Sequence, residues 1–273
     1  MSDSKTWTAF VECASDIPLG LMRWRGRTVA VLIVTVSAVV QGQVPVPNAP
    51  PASDTLASFE RPNGALLRTG TLIYMLSLSR PTGAVTSLGT RTVVVSESSL
   101  AGNPGWLIAE SRRGTVVETM VSVTVARADL RPQRWIASMG AAQLGASFTH
   151  DSGFGAISTY QGRASFAIAV PLDALLSGGM VERIIEMLPL RLGYRAAATL
   201  VLVPGATPQL VRAEVDVDRD ATIDVGGRST DCWVVALRAG AMEERLWVSK
   251  NGSRVVRIEQ ALADGVLVSA LAP

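Results

Sequence analysis

Residues 243–260 read EERLWVSKNGSRVVRIEQ. Two alternating runs, Glu243–Ser249 and Arg254–Gln260, flank Asn251 and Gly252. Asn-Gly is the strongest short hairpin signal, because both central residues of a type I′ turn take positive φ. The stretch therefore predicts an antiparallel hairpin with Lys250 on the lip of its turn. Lys250 is the only lysine in the chain apart from Lys5, so a catalytic serine–lysine pair with Ser249 is the competing reading. Such a pair needs a desolvated lysine within hydrogen-bond reach of the hydroxyl, whereas adjacent strand residues point to opposite faces. The turn reading takes Lys250 out of chemistry.

Working outward from this hairpin, the chain reads as β almost throughout. In GTLIYMLSLS, Leu72, Tyr74, Leu76 and Leu78 share one face. In TVVETMVSVTVARA, Val117, Val121, Val123 and Val125 share a face with Thr119, while Glu118, Ser122 and Thr124 point the other way. Further strand-like runs fall near 87–97, 105–112, 133–139, 142–149, 154–160 and 163–170, each bounded by Gly, Pro or Asn. A second set covers 194–203, 209–219, 221–225, 231–238, 243–249, 253–260 and 265–270. No periodic helix separates neighbouring runs, so consecutive strands should pair antiparallel as a meander. One helix is expected between the two sets, near 180–188. Val181, Ile184, Ile185 and Leu188 stand at helical spacing after Gly178 and Gly179, and Pro189 ends the run. Its apolar stripe needs a sheet to cover.

Composition bounds the rest. Of 273 residues 48% are hydrophobic and 18% charged, enough for one large core in a single all-β domain. The formal charge is +2 and the basic residues are spread along the chain, which is no footprint for nucleic acid. A single histidine, His150, removes most metal sites and most acid/base pairs, and no cofactor motif is found.

The N-terminus bears on the compartment. Residues 22–43, MRWRGRTVAVLIVTVSAVVQGQ, place Arg23, Arg25 and Arg27 before a thirteen-residue apolar run from Thr28 to Val40, then small and polar residues. That is the order of a secretory signal peptide beginning at about Met22, with cleavage near Gly42. The alternative is an uncleaved inner-membrane anchor through residues 28–46, 19 residues long with a basic, cytoplasmic N-terminal side. Either way residues 1–42 are a leader and the protein is extracytoplasmic, in the periplasm or facing it. Loss of the leader removes Cys13 and leaves Cys232 without a partner, a buried structural thiol in the alternating run DCWVVAL. Residues 43–58, QVPVPNAPPASDTLAS, hold four of the fourteen prolines and read as an extended linker. A single β domain is expected over residues 59–273.

A tryptophan-containing strand ending in WVSKNG, followed by RVVRIE and preceded by VGGRSTDCWVVAL and MLPLRLGY, resembles an uncharacterised family of exported bacterial β-rich proteins. That family is similar to the LolA/LolB-type lipoprotein carriers. The resemblance spans about Phe59 to Leu262 on the strand pattern. It implies a curved antiparallel sheet, a half-barrel or open barrel wrapped around a helical plug. It carries no catalytic residues over, and the chain lacks the carriers' distinct series of helices.

A few stretches suggest sharper chemistry. DVDRDATID sets Asp216, Asp218, Asp220 and Asp224 at positions 1, 3, 5 and 9 of a calcium loop, but Ala221 stands where Gly is wanted and Gly227 where a bidentate Glu belongs. The alternation around Val211, Ala213, Val215 and Val217 makes these acids the wet face of a strand. His150-Asp151, with Ser147 or Ser152 nearby, suggests part of a triad but reads more simply as a hairpin loop. Arg112, Arg113, Arg131 and Arg134 are strand-end arginines suited to solvent or to anionic headgroups. Trp247 and Ile184 are expected in the core.

No catalytic constellation survives, and an enzyme is not expected. The sequence points to a binding or carrier protein for an apolar or lipid-like ligand held by a concave sheet face. The alternative is a membrane-tethered structural or interaction subunit of a cell-envelope complex, docking on a membrane protein complex through a sheet edge or face.

Overall fold

The computed structural model describes residues 61–114, 117–202 and 208–273. The expected leader, the linker and the start of the domain at Phe59 lie outside the described residues.

The first meander runs β1 (Gly70–Ser79), β2 (Val85–Leu100), β3 (Asn103–Arg113), β4 (Thr119–Ala126), β5 (Pro132–Met139), β6 (Ala142–Phe148), β7 (Ser152–Thr159) and β8 (Gly162–Ala169). A three-residue strand, β9 (Ala174–Leu176), and the helix α1 (Gly179–Ile185) lead into the second meander. This comprises β10 (Arg195–Leu202), β11 (Gln209–Val225), β12 (Arg228–Ala239), β13 (Met242–Ser249), β14 (Val255–Leu262) and β15 (Gly265–Leu271). β15 returns antiparallel to β1, with Tyr74 opposite Leu271. Among the described residues the fifteen strands thus form one mainly antiparallel sheet, edged by β8 and β9. The sheet curls until β9 approaches β5, but the edges do not pair and the barrel stays open.

The face that carries α1 holds the main core. Val93, Val95, Ile108, Val123 and Val125 from β2 to β4 meet Leu200, Val215, Leu246 and Ile258 from the other meander around Met180, Ile184 and Ile185. Every residue of α1 is buried, as expected of a helix enclosed by a sheet rather than lying on one. Two turns are too short to be stable alone, so packing holds the helix. Gly179 allows that packing: a Cβ there would stand 3.1 Å from Val93 Cγ1 and 3.5 Å from Ile108 Cγ2.

The segment before β1 straps the seam. The Arg61 guanidinium donates to the Leu172 carbonyl at 2.9 Å, to the Leu130 carbonyl at 2.8 Å, and to that of Ala174 in β9. It thereby ties the turn before β5 to the link after β8. Burial lowers the Arg61 pKa to about 10. Gly64 donates its N–H to Ala128 and accepts from Trp106 Nε1 at 3.0 Å, and any Cβ there would overlap the Arg127 carbonyl.

Four details differ from expectation. The runs at 209–219 and 221–225 are one strand, β11, whose alternation is shifted by a bulge between Val217 and Arg219. β9 pairs parallel to β10 and is too short to announce itself by alternation. The hairpin of β13 and β14 forms, but positive φ falls on Gly252 and Ser253 rather than on Asn251 and Gly252. The connection is thus a wider loop closed by Ser249 N–H to the Arg254 carbonyl, not a type I′ turn. Trp247 is buried, but in a second, smaller cluster with Cys232, Val234 and Val256, where Arg257 lies 5.4 Å over its ring.

Candidate ligand-binding site

The interior is not uniformly apolar. Arg91 stands on β2 at the same parity as Val93 and Val95, so the pleat turns its side chain inward. Its Nη2 donates to Glu110 Oε2 of β3 at 2.7 Å and to Glu182 Oε1 of α1 at 2.6 Å. Arg112 Nε closes the set on Glu110 Oε1 at 2.8 Å. Burial lowers the Arg91 pKa, but Glu182 and Glu110 outweigh that and hold the guanidinium above its ordinary range. Burial likewise raises Glu110, yet Arg91 and Arg112 overcome it and hold the carboxyl at about 2.

A second set lies toward the other end of α1. Arg183 Nη1 meets Glu186 Oε2 at 2.8 Å, and Arg183 Nη2 donates to the Tyr74 hydroxyl at 3.3 Å. That hydroxyl donates to the Val255 carbonyl at 2.9 Å, and the Val255 N–H donates to Glu186 Oε1 at 2.6 Å. The loop after β13 is thus locked to the helix through one residue. Burial pushes Glu186 up to about 7, against the pull of Arg183. Arg91 Nε, Glu182 Oε2 and Arg183 Nε are buried without a partner.

Glu244 on β13 is half-buried at the parity of Leu246 and Val248. Burial and then the charge of Glu182 push it up to about 7, against Arg91 and Arg112. A carboxyl raised above its ordinary 4.5 binds more protons folded than unfolded, so its contribution is full below that value and is lost as pH rises through 7. Glu186 acts in the same direction. Glu110 acts oppositely, with stability present above 4.5 and lost as pH falls through 2. The thermal midpoint is therefore expected to fall between about pH 5 and about pH 8. Glu244→Gln should shrink that fall by raising the alkaline midpoint, leaving the acidic one nearly unchanged. Midpoints that move in parallel at both pH values contradict this assignment.

Beside the Arg183 set, the barrel mouth opens into a cleft of about 400 Å³. Leu67, Leu72, Val95, Met187 and Leu188 supply apolar wall, and Arg183 and Glu186 form the polar floor. Arg68, just before β1, and Arg254, in the hairpin loop, stand exposed at the rim. The volume lies within the range of small-molecule sites.

The residues singled out from the sequence lie elsewhere. Lys250 Nζ pairs with Asp220 Oδ2 at 2.7 Å and sits 4.0 Å over the Trp233 ring. The Ser249 hydroxyl donates instead to the Asn251 carbonyl at 2.7 Å, so the two are engaged separately. Asp220, Thr222, Asp231 and Lys250 line a second, polar hollow, where the Thr222 hydroxyl donates to Asp231 at 2.6 Å. The acidic stretch from Asp216 to Asp224 lies within the strand β11 rather than in a calcium loop. From Asp216 to Asp224 the chain advances about 26 Å at strand rise. Asp216 neighbours Arg195, Asp218 sits in the bulge, Asp220 binds Lys250 and Asp224 accepts from the Gly227 N–H. Among the described residues no group of acids, His or Cys is arranged to hold a metal.

Ser152 donates to Asp151 at 2.8 Å rather than to His150, and all lie in the loop or strand start between β6 and β7 with Ser147 exposed on β6. Arg131 pairs with Asp129, Arg113 and Arg134 are exposed, and Arg112 belongs to the interior network. Burial pushes the Cys232 thiol up to about 11, so it stays protonated. Sequence reasoning missed Arg91, Glu110, Glu182, Arg183 and Glu186. The available signal was parity: Arg91 and Glu110 interrupt the inward positions of two strands otherwise filled by Val93, Val95, Trp106 and Ile108.

These features define an open, barrel-like antiparallel sheet around one buried helix, with a cleft at one mouth. No family model matches the chain, and no curated protein matches it either. Among solved structures it is similar to the crystal structure of a β-barrel-like protein of the domain of unknown function DUF1849 from Brucella abortus. The two share 10% identity over 79% of this chain and 98% of that one, with a TM-score of 0.48.

Proposed function

We propose that this protein is a non-enzymatic, extracytoplasmic binding or carrier protein for an apolar or lipid-like ligand that enters the cleft at the barrel mouth. The observation that carries this reading is the cleft itself, where Leu67, Leu72, Val95 and Leu188 supply an apolar wall beside a polar lining that includes Arg68, Arg183, Glu186 and Arg254. Concave sites in which apolar wall meets convergent polar groups are where small molecules usually bind. The basic and apolar leader supports an extracytoplasmic location.

A second reading, a membrane-tethered interaction subunit of a cell-envelope complex, is favoured by β8. It is an outer edge of the sheet with a row of unpaired backbone groups, and such edges accept a further strand. Native mass spectrometry of protein released in mild detergent from exporting cells tests both. A lipid-sized adduct on a chain beginning near Gln43 is the expected result. A chain retaining residues 28–46, with no adduct and a second subunit bound, overturns it in favour of the tethered subunit.

A further inference from the structure

We infer that the ligand is an amphiphile with an anionic head, a carboxylate or phosphate, held between Arg68 and Arg254 while its chain lies along Leu67, Leu72, Val95 and Leu188. This rests on the binding reading above and adds the chemistry of the head.

Three observations converge on it. The charged residues lining the cleft are Arg68, Arg183, Arg254 and Glu186, so basic groups outnumber acidic ones. Arg68 and Arg254 make no ion pair or side-chain hydrogen bond among the described residues, although Arg254 acts on Glu186 through its charge, whereas Arg183 and Glu186 are paired with each other. Glu186 is already held by Arg183 Nη1 and by the Val255 N–H, and burial pushes it up to about 7, so near neutral pH its charge is partly quenched.

The floor repeats the imbalance. Arg183 is 5% exposed and lines the cleft, yet its Nε has no acceptor. A buried donor without a partner is costly to leave so, and the Arg183 guanidinium adds positive charge beneath the rim, which favours an anion there over a cation. The guanidinium fork also matches carboxylate and phosphate geometry. A cationic or neutral head gains none of this.

The test is displacement of a fluorescent neutral probe, a dansyl-labelled long-chain alkanol, from protein purified from exporting cells. The competitors are dodecanoate, dodecyl phosphate, dodecanol and dodecyltrimethylammonium, all below their micelle concentrations. Dodecanoate and dodecyl phosphate should compete roughly tenfold or more better than dodecanol, as expected for charge-assisted hydrogen bonds, with the cation weakest. Arg68→Glu and Arg254→Glu, both at exposed positions, should each erase most of that preference and leave dodecanol unchanged. Rising salt should weaken only the anions.

Equal competition by all four amphiphiles overturns the anionic head while leaving the apolar-ligand reading in place. Failure of the probe to bind overturns both. Vesicles of phosphatidylglycerol and of phosphatidylcholine separate the sources of the anion. Loss of probe signal with phosphatidylglycerol alone assigns a membrane phospholipid, and loss with dodecanoate but neither vesicle assigns a free acid.

Discussion

Replacing Arg91 with leucine is expected to destabilise the protein by about 3–5 kcal/mol, the usual result of removing one partner from a buried ion set. Arg91 is 2% exposed and Glu110 4%, so neither Glu110 nor Glu182 can recover by hydration what it loses. Against a typical total of about 5–15 kcal/mol, that is a large share. Denaturant unfolding should show the midpoint falling with little change of slope. The triple change Arg91→Leu, Glu110→Leu, Glu182→Met should regain most of the loss, because well-packed apolar groups often replace a buried ion set at no cost. If Arg91→Leu alone costs under about 1 kcal/mol, where exposed pairs fall, the network is not buried as described.

Ile184→Asp should be at least as damaging. Ile184 is 1% exposed in the last turn of α1, in the core shared by strands of both meanders, so an aspartate there meets almost no water. Burying an unpaired charge is among the most costly single changes, and the variant should fail to accumulate as folded protein. Ile184→Ala measures the same site more gently, with an expected cost of about 2–5 kcal/mol. An aspartate variant with native near-ultraviolet circular dichroism contradicts the enclosed helix.

The repeated structure was legible because it is written in alternation. Val121, Val123 and Val125 announce β4, and the two runs around Asn251 and Gly252 announce the β13 and β14 hairpin. The helix was legible from the spacing of Val181, Ile184, Ile185 and Leu188 before Pro189, although α1 ends at Ile185, three residues short of the expected 188. What escaped depended on single residues or on partners far apart in the chain. The bulge at Asp218 moves β11 by one residue, which exchanges the faces of everything beyond it. This is why Asp216 and Asp220 do not share a side as strict alternation implies. The parallel pairing of β9 rests on three residues that take their meaning from β10. Arg91 and Glu110 meet through the β2–β3 pairing, where Val93 lies opposite Glu110, but Glu182 comes from α1, far along the chain. The cleft is equally non-local, joining the residues before β1, the end of α1 and the hairpin loop.

The most direct measurement of the central claim is photocrosslinking with a long-chain acid carrying a diazirine near its methyl end, followed by peptide mapping. Binding in the barrel mouth predicts label on the peptides containing Leu66–Leu72 and Met187–Leu188, suppressed by unlabelled dodecanoate. Label spread over the exposed faces of β5 to β8, or label that dodecanoate does not suppress, would contradict the claim that this mouth is where the protein holds its ligand.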